Sequence, residues 1–133
     1  MGKWIEMLCA FQSALWGLWL FLPWDSFGVS QAYAFMKTIM PDWAWGGSML
    51  FFGLYTGVAV YMDNSPQYTM RKINAFLGCV FWTAIAFGFL AGNYRSTAAP
   101  QAISAAVGYF VALHQITLHQ KIDKVIAEKA KDE

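Results

Sequence analysis

A chain of 133 residues that is 58% apolar, 18% aromatic and only 13% charged carries more apolar surface than one soluble domain of that length buries. A net charge of +1, with no Lys/Arg-rich face interleaved with aromatics, excludes a nucleic-acid binder. The sequence shows no Gly-x-Ser-x-Gly elbow, no phosphate-binding glycine loop and no Ser/His/Asp cluster, so no enzyme is expected.

Residues 4–23 read as the first membrane span, since about 20 apolar residues at 1.5 Å each cross about 30 Å of hydrocarbon. Their one ionisable residue, Glu6, falls near the cytoplasmic end, where its carboxylate is expected to reach water or Lys3. Ala32-Tyr33-Ala34 has the small-x-small pattern of a cleavage site, but the apolar run before it is too long for a signal peptide, and a retained span is expected.

The connection that follows holds a short helix over 30–40, which Ser30 can cap and Pro41 must stop. Ala32, Phe35, Met36, Ile39 and Met40 share one of its faces, so it is expected to lie flat in the outer headgroup layer. Trp19, Trp24, Trp43 and Trp45 gather at the ends of this connection and mark the outer interface, where an amphipathic indole is most stable.

Residues 44–62 carry no charge and make the second span; residues 73–94 make the third. Between them lie the turn-forming Asp63-Asn64-Ser65-Pro66 and the basic pair Arg71 and Lys72, which should hold this connection in the cytoplasm. After a short outer loop containing Arg95, Pro100 can open the fourth span, 101–118. Its continuation, 119–133, with Lys124 and Glu128 four apart, extends the helix into water as a tail. With both termini inside, Lys3, Arg71, Lys72, Lys121, Lys124, Lys129 and Lys131 are cytoplasmic and only Lys37 and Arg95 lie outside. That bias fixes the orientation. The expected fold is all-α: a single integral membrane domain over 1–133, a four-helix bundle with one interfacial helix in its first outer loop and a helical cytoplasmic tail.

Small residues recur every four positions: Ser13 and Gly17, then Gly53 and Gly57, then Ala84, Gly88 and Gly92, then Ser104, Gly108 and Ala112. Such rows let helix backbones approach closely, either within one chain or between copies in a homo-oligomer, and both stay open here. Cys9 and Cys79 are expected to be packing residues rather than a disulfide. His114 and His119 stand five apart, about 140° around a helix, so they cannot share a metal. His114 is expected to be hydrogen-bonded inside the bundle and His119 at an interface, with no metal and no cofactor. No acidic residue falls near the midplane, which argues against ion-coupled transport.

The segments Ala14-Leu15-Trp16-Gly17-Leu18-Trp19-Leu20, Pro23-Trp24-Asp25-Ser26-Phe27, Pro41-Asp42-Trp43-Ala44-Trp45-Gly46 and Ser96-Thr97-Ala98-Ala99-Pro100 together resemble small four-span proteins encoded by tailed phages and prophages. The resemblance extends over nearly the whole chain and implies a phage-encoded protein of the bacterial inner membrane. It carries over no catalytic residue. Three roles fit that setting: a holin-like protein that self-associates and turns Gln12, Ser13, Thr83 and Ser104 toward a pore, an exclusion or membrane-modulating protein that binds a host or phage partner, such as a membrane protein, through the Trp24 to Trp43 segment, or a scaffolding subunit of a larger membrane complex. The lipid bilayer is the partner common to all three.

Overall fold

The uncharged runs fold as helices because a backbone in hydrocarbon must satisfy its own hydrogen bonds. The computed structural model describes residues 3–22, 31–62, 68–92, 95 and 98–131; Trp24, Ser30 and the turn at 63–66 lie outside the described residues. Helix α1 spans Lys3–Phe21, a 3-10 turn at Gln31–Tyr33 leads into α2 at Ala34–Ile39, and α3, α4 and α5 span Asp42–Met62, Thr69–Gly92 and Ala98–Lys129. Three of them, α1, α4 and α5, are long and apolar enough to cross a membrane. The qualifying stretches are buried inside the chain over only 33%, 39% and 28% of their residues. What stays exposed includes Leu8, Phe11, Leu15, Phe76, Val80, Phe87, Val107 and Phe110. An apolar surface that extensive is matched by lipid and not by water. The chain is an all-helical membrane protein.

Helix starts differ from the sequence expectation by up to four residues, and at α3 and α4 the reasons are local. Helix α3 begins two residues before 44, because the Pro41 carbonyl accepts N–H groups from Ala44 and Trp45 and the Asp42 carboxylate accepts the Trp43 N–H at 2.9 Å. Helix α4 begins at Thr69, so Arg71 and Lys72 lie in its first turn and not in the preceding connection. Tyr68 just before it sits at φ 49°, a left-handed conformation uncommon for an aromatic residue, and its carbonyl accepts the Lys72 N–H. Helix α5 has 32 residues, about 48 Å at 1.5 Å each, well beyond the hydrocarbon thickness. Its residues from Lys121 onward are exposed.

The helices pack as two antiparallel pairs, α1 with α3 and α4 with α5. The first pair is close because it is built on glycine. A Cβ on Gly17 would collide with the backbone of Leu50, one on Gly46 with the backbone of Leu20 and Phe21, and one on Gly53 with Ala10 and Ala14. In the second pair, α5 offers an alanine face (Ala99, Ala102, Ala105, Ala106, Ala112) on which α4 lays Trp82, Ile85 and Phe89. Gly108 faces the Cys9 sulfur and Gly88 faces Met36, joining the pairs and the short helix to one core. Both cysteines are free thiols, Cys9 buried and Cys79 half-buried.

Other small residues chosen by fourfold spacing fall elsewhere. Ala84 and Ser104 are exposed, Gly92 is half-buried, and a Cβ on Gly57 would meet open space. A four-residue step advances 400° around a helix and drifts 40° from its starting face, so a row counted that way leaves the contact. The second correction concerns the outer connection. Helix α2 packs on the bundle by one side: Phe35 and Ile39 are exposed, but Met36 is buried to 2% against Gly88 of α4. Trp45, expected at the interface, is buried beside it, donates its indole N–H to the Met36 carbonyl at 3.1 Å and packs on Phe81. Trp19 and Trp43 remain exposed.

Candidate functional site

The inward face of α1 is read by helical periodicity: Glu6, Cys9, Ala10, Ser13, Gly17 and Leu20 are its buried residues. Two of the six are polar, and each meets a polar partner from another helix. At the Lys3 end of α1, Arg71 of α4 grips the Glu6 carboxylate with both arms of its guanidinium. Nε donates to Oε2 at 2.9 Å and Nη2 donates to Oε1, with the two side chains only 7% and 4% exposed. A bidentate geometry is what makes such a pair tolerable away from water. This is a correction: Glu6 is paired with Arg71 rather than with Lys3, because the first turn of α4 brings Arg71 to it. The guanidinium carbon also lies 5.2 Å from the ring centre of Tyr68. The Tyr68 hydroxyl donates to Asp123 at 3.1 Å and Lys72 donates to Gln120, so the same end is tied to the extension of α5.

Further along α1, Ser13 is 1% exposed and accepts the indole N–H of Trp82 at 3.0 Å. Its hydroxyl lies 3.0 Å from that of Tyr109 on α5. Thr56 of α3 is in hydrogen-bond reach of Tyr109 and donates to the Phe52 carbonyl at 2.8 Å. An indole N–H can only donate, so Ser13 accepts from Trp82, while either of the Ser13 and Tyr109 hydroxyls can donate to the other. Gly78 makes room for this arrangement, since a Cβ there would enter the Tyr109 ring.

All four long helices thus contribute to one buried polar seam, from Glu6 and Arg71 through Asn74 and Thr56 to Tyr109, Ser13 and Trp82. Beyond Trp82 the interior is aromatic. Trp16 meets Trp82 edge-on at 6.2 Å and Phe89 at 5.8 Å, and Tyr33 closes on Phe89 at 5.1 Å. Burial pushes the Tyr33 hydroxyl up to about 12, so it stays neutral. With Met36 and Trp45 these rings fill the end of the bundle opposite to Glu6. The polar seam therefore ends inside the fold.

The sequence expectations divide around it. Arg71 and Lys72, singled out for topology, are both in contacts of the seam's Glu6 end. Ser13 and Gly17 share the inward face of α1. His114, expected inside the bundle, is exposed, and His119 is exposed with Nδ1 2.8 Å from the Gln115 carbonyl of its own helix. Tyr109, Trp82, Asn74, Gly78 and Gly46 were not among the expected sites. A seven-residue repeat of Gly46 and Gly53, two helical turns apart, was the available signal for the last of these. Among the described residues, no three His, Cys, Asp or Glu side chains come close enough to hold a metal ion.

No protein family, curated protein or solved structure matches the chain.

Proposed function

We propose that this chain is a non-enzymatic, four-span protein of the bacterial inner membrane, with both termini cytoplasmic, that works as a self-contained bundle engaging a membrane-protein partner: an exclusion or membrane-modulating protein, or a scaffolding subunit. The single observation that carries this reading is the direction of its polar side chains. Glu6, Ser13, Thr56, Arg71, Asn74 and Tyr109 all point inward, while the outer surface of the apolar helices is mostly aliphatic and aromatic, with few hydroxyls such as Thr83 and Ser104.

A fourth span is supported by α3, which has 21 residues, about 31 Å at 1.5 Å each, and no charge after Asp42. Its outward residues are Phe51, Leu54, Val58, Tyr61 and Met62. The phage setting rests on the residue pattern.

The holin-like alternative needs polar groups facing out of the monomer, where copies meet around water. Ser13 is turned the other way and fully bonded. Thr83 and Ser104 do face outward, but each hydroxyl is bonded to a carbonyl of its own helix, Cys79 at 2.7 Å and Gln101 at 2.8 Å, so neither needs water. Strong induction in bacteria bathed in a membrane-impermeant dye tests the choice, together with the copy number in lipid nanodiscs. Dye exclusion with one chain, or a small fixed number, per disc is the expected result. Dye entry accompanied by large rings would overturn it in favour of a pore.

A further inference from the structure

Glu6, Thr56, Val60, Arg71, Asn74, Ala75 and Tyr109 enclose a cavity between the ion pair and the hydroxyl chain. Asn74 is 2% exposed, lines this cavity, and has neither Nδ2 nor Oδ1 bonded to any protein group. A buried carboxamide with both ends unmet is rare in a folded protein, and where it occurs a small polar guest usually completes it. The space left for the centre of a water-sized sphere is about 10 Å³, close to the least that admits one water.

We propose that this cavity is a binding site for a single internal water, held by the Asn74 amide and by the oxygen atoms that line the cavity with it. The amide offers the water both a donor and an acceptor. The Glu6 carboxylate has acceptor positions beyond the two that Arg71 occupies, and the Tyr109 and Thr56 hydroxyls belong to the chain leading to Trp82. One water therefore joins the two parts of the seam, which the protein's own groups leave apart at Asn74.

A monovalent cation is the competing guest, since Asn74, Glu6, Thr56 and Tyr109 all present oxygen. It fails on charge and on chemistry. The Arg71 guanidinium already lines the cavity, and a cation would leave the Asn74 N–H groups without an acceptor, whereas water serves both ends of the amide.

The test is NMR on the ¹⁵N-labelled full chain in lipid nanodiscs, with the Asn74 side-chain amide identified by its disappearance in Asn74→Leu. Its protons should show a direct cross-peak to water with the sign of a long-lived internal molecule. Ala75→Val, which enlarges a lining residue, should abolish that cross-peak while the Asn74 signal persists. Replacing sodium chloride by choline chloride should leave the Asn74 shifts unchanged. Absence of the cross-peak in the unsubstituted chain overturns the proposal, and so does a saturable, sodium-dependent shift, which would identify a cation site. The unsubstituted chain decides the matter even if Ala75→Val does not fold.

Discussion

Arg71→Leu should destabilise the bundle by about 3–5 kcal/mol, because it leaves the Glu6 carboxylate buried without its partner. Glu6→Leu should be of comparable size for the mirrored reason, with the guanidinium stranded. The double variant, in which two leucines face each other, should recover most of that loss, since a desolvated ion pair gains little over well-packed apolar side chains once both charges are gone. Denaturant titration in micelles, followed by fluorescence of the seven tryptophans, measures all three variants on one scale. If the single changes cost less than about 1 kcal/mol, the pair is open to solvent and behaves like a surface salt bridge, and the buried seam described above does not exist.

Gly17→Val should be as damaging by a different route. Its side chain would have to occupy the space of the Leu50 backbone, which cannot rotate away as a flexible side chain can. The α1–α3 pair must then separate, losing the contacts at Gly46 and Gly53 along with those at Gly17. Overpacking of this kind typically costs about 1–3 kcal/mol, and more where the obstacle is main chain. Gly57→Ala is the control: a Cβ there meets open space, and a better helix former should leave stability within about 0.5 kcal/mol or raise it slightly. The same titration reads both. Equal effects at Gly17 and Gly57 would mean that glycine acts through helix propensity and that the close approach of α1 and α3 is not what it supports.

How much of this fold can be read before seeing it depends on which forces are local. Helix existence can be read, because an uncharged run of span length has few alternatives in lipid, and the expected 4–23 and 44–62 differ from Lys3–Phe21 and Asp42–Met62 only at their ends. Arg71 shows where local reasoning stops. A basic residue beside an apolar run looks like a loop residue, and only the partner sixty-five positions earlier makes its burial affordable. Trp45 repeats the lesson, since the tendency of indole toward membrane interfaces lost to a particular carbonyl, that of Met36. Of the small-residue rows, Gly17, Gly53, Gly88 and Gly108 lie against other helices, Ala84 and Ser104 are exposed, and a Cβ on Gly57 would meet open space. Spacing identifies a ridge but not the helix it faces.

The seam itself was not legible as a unit. Glu6, Ser13, Asn74 and Tyr109 are spread across the chain, and each alone has an ordinary explanation. What unites them is the packing of α1 against α4 and α5, across the two helix pairs, a tertiary choice that no single helix encodes. Once that choice is made, the polar positions coincide at one end of the bundle, and the outer surface is left almost wholly apolar.

The central claim is that polar groups face inward from helices whose outer surface is lipid-bound. It is tested most directly by a nitroxide scan of residues 4–20 of α1, in a chain with both cysteines replaced, measuring collisions with oxygen and with a water-soluble nickel chelate in nanodiscs. Oxygen maxima are expected at Trp4, Met7, Leu8, Phe11, Leu15 and Leu18, and low exposure to both reagents at Glu6, Ala10, Ser13 and Gly17. Strong nickel accessibility at Ser13 and Gly17 would place water along that face and contradict it.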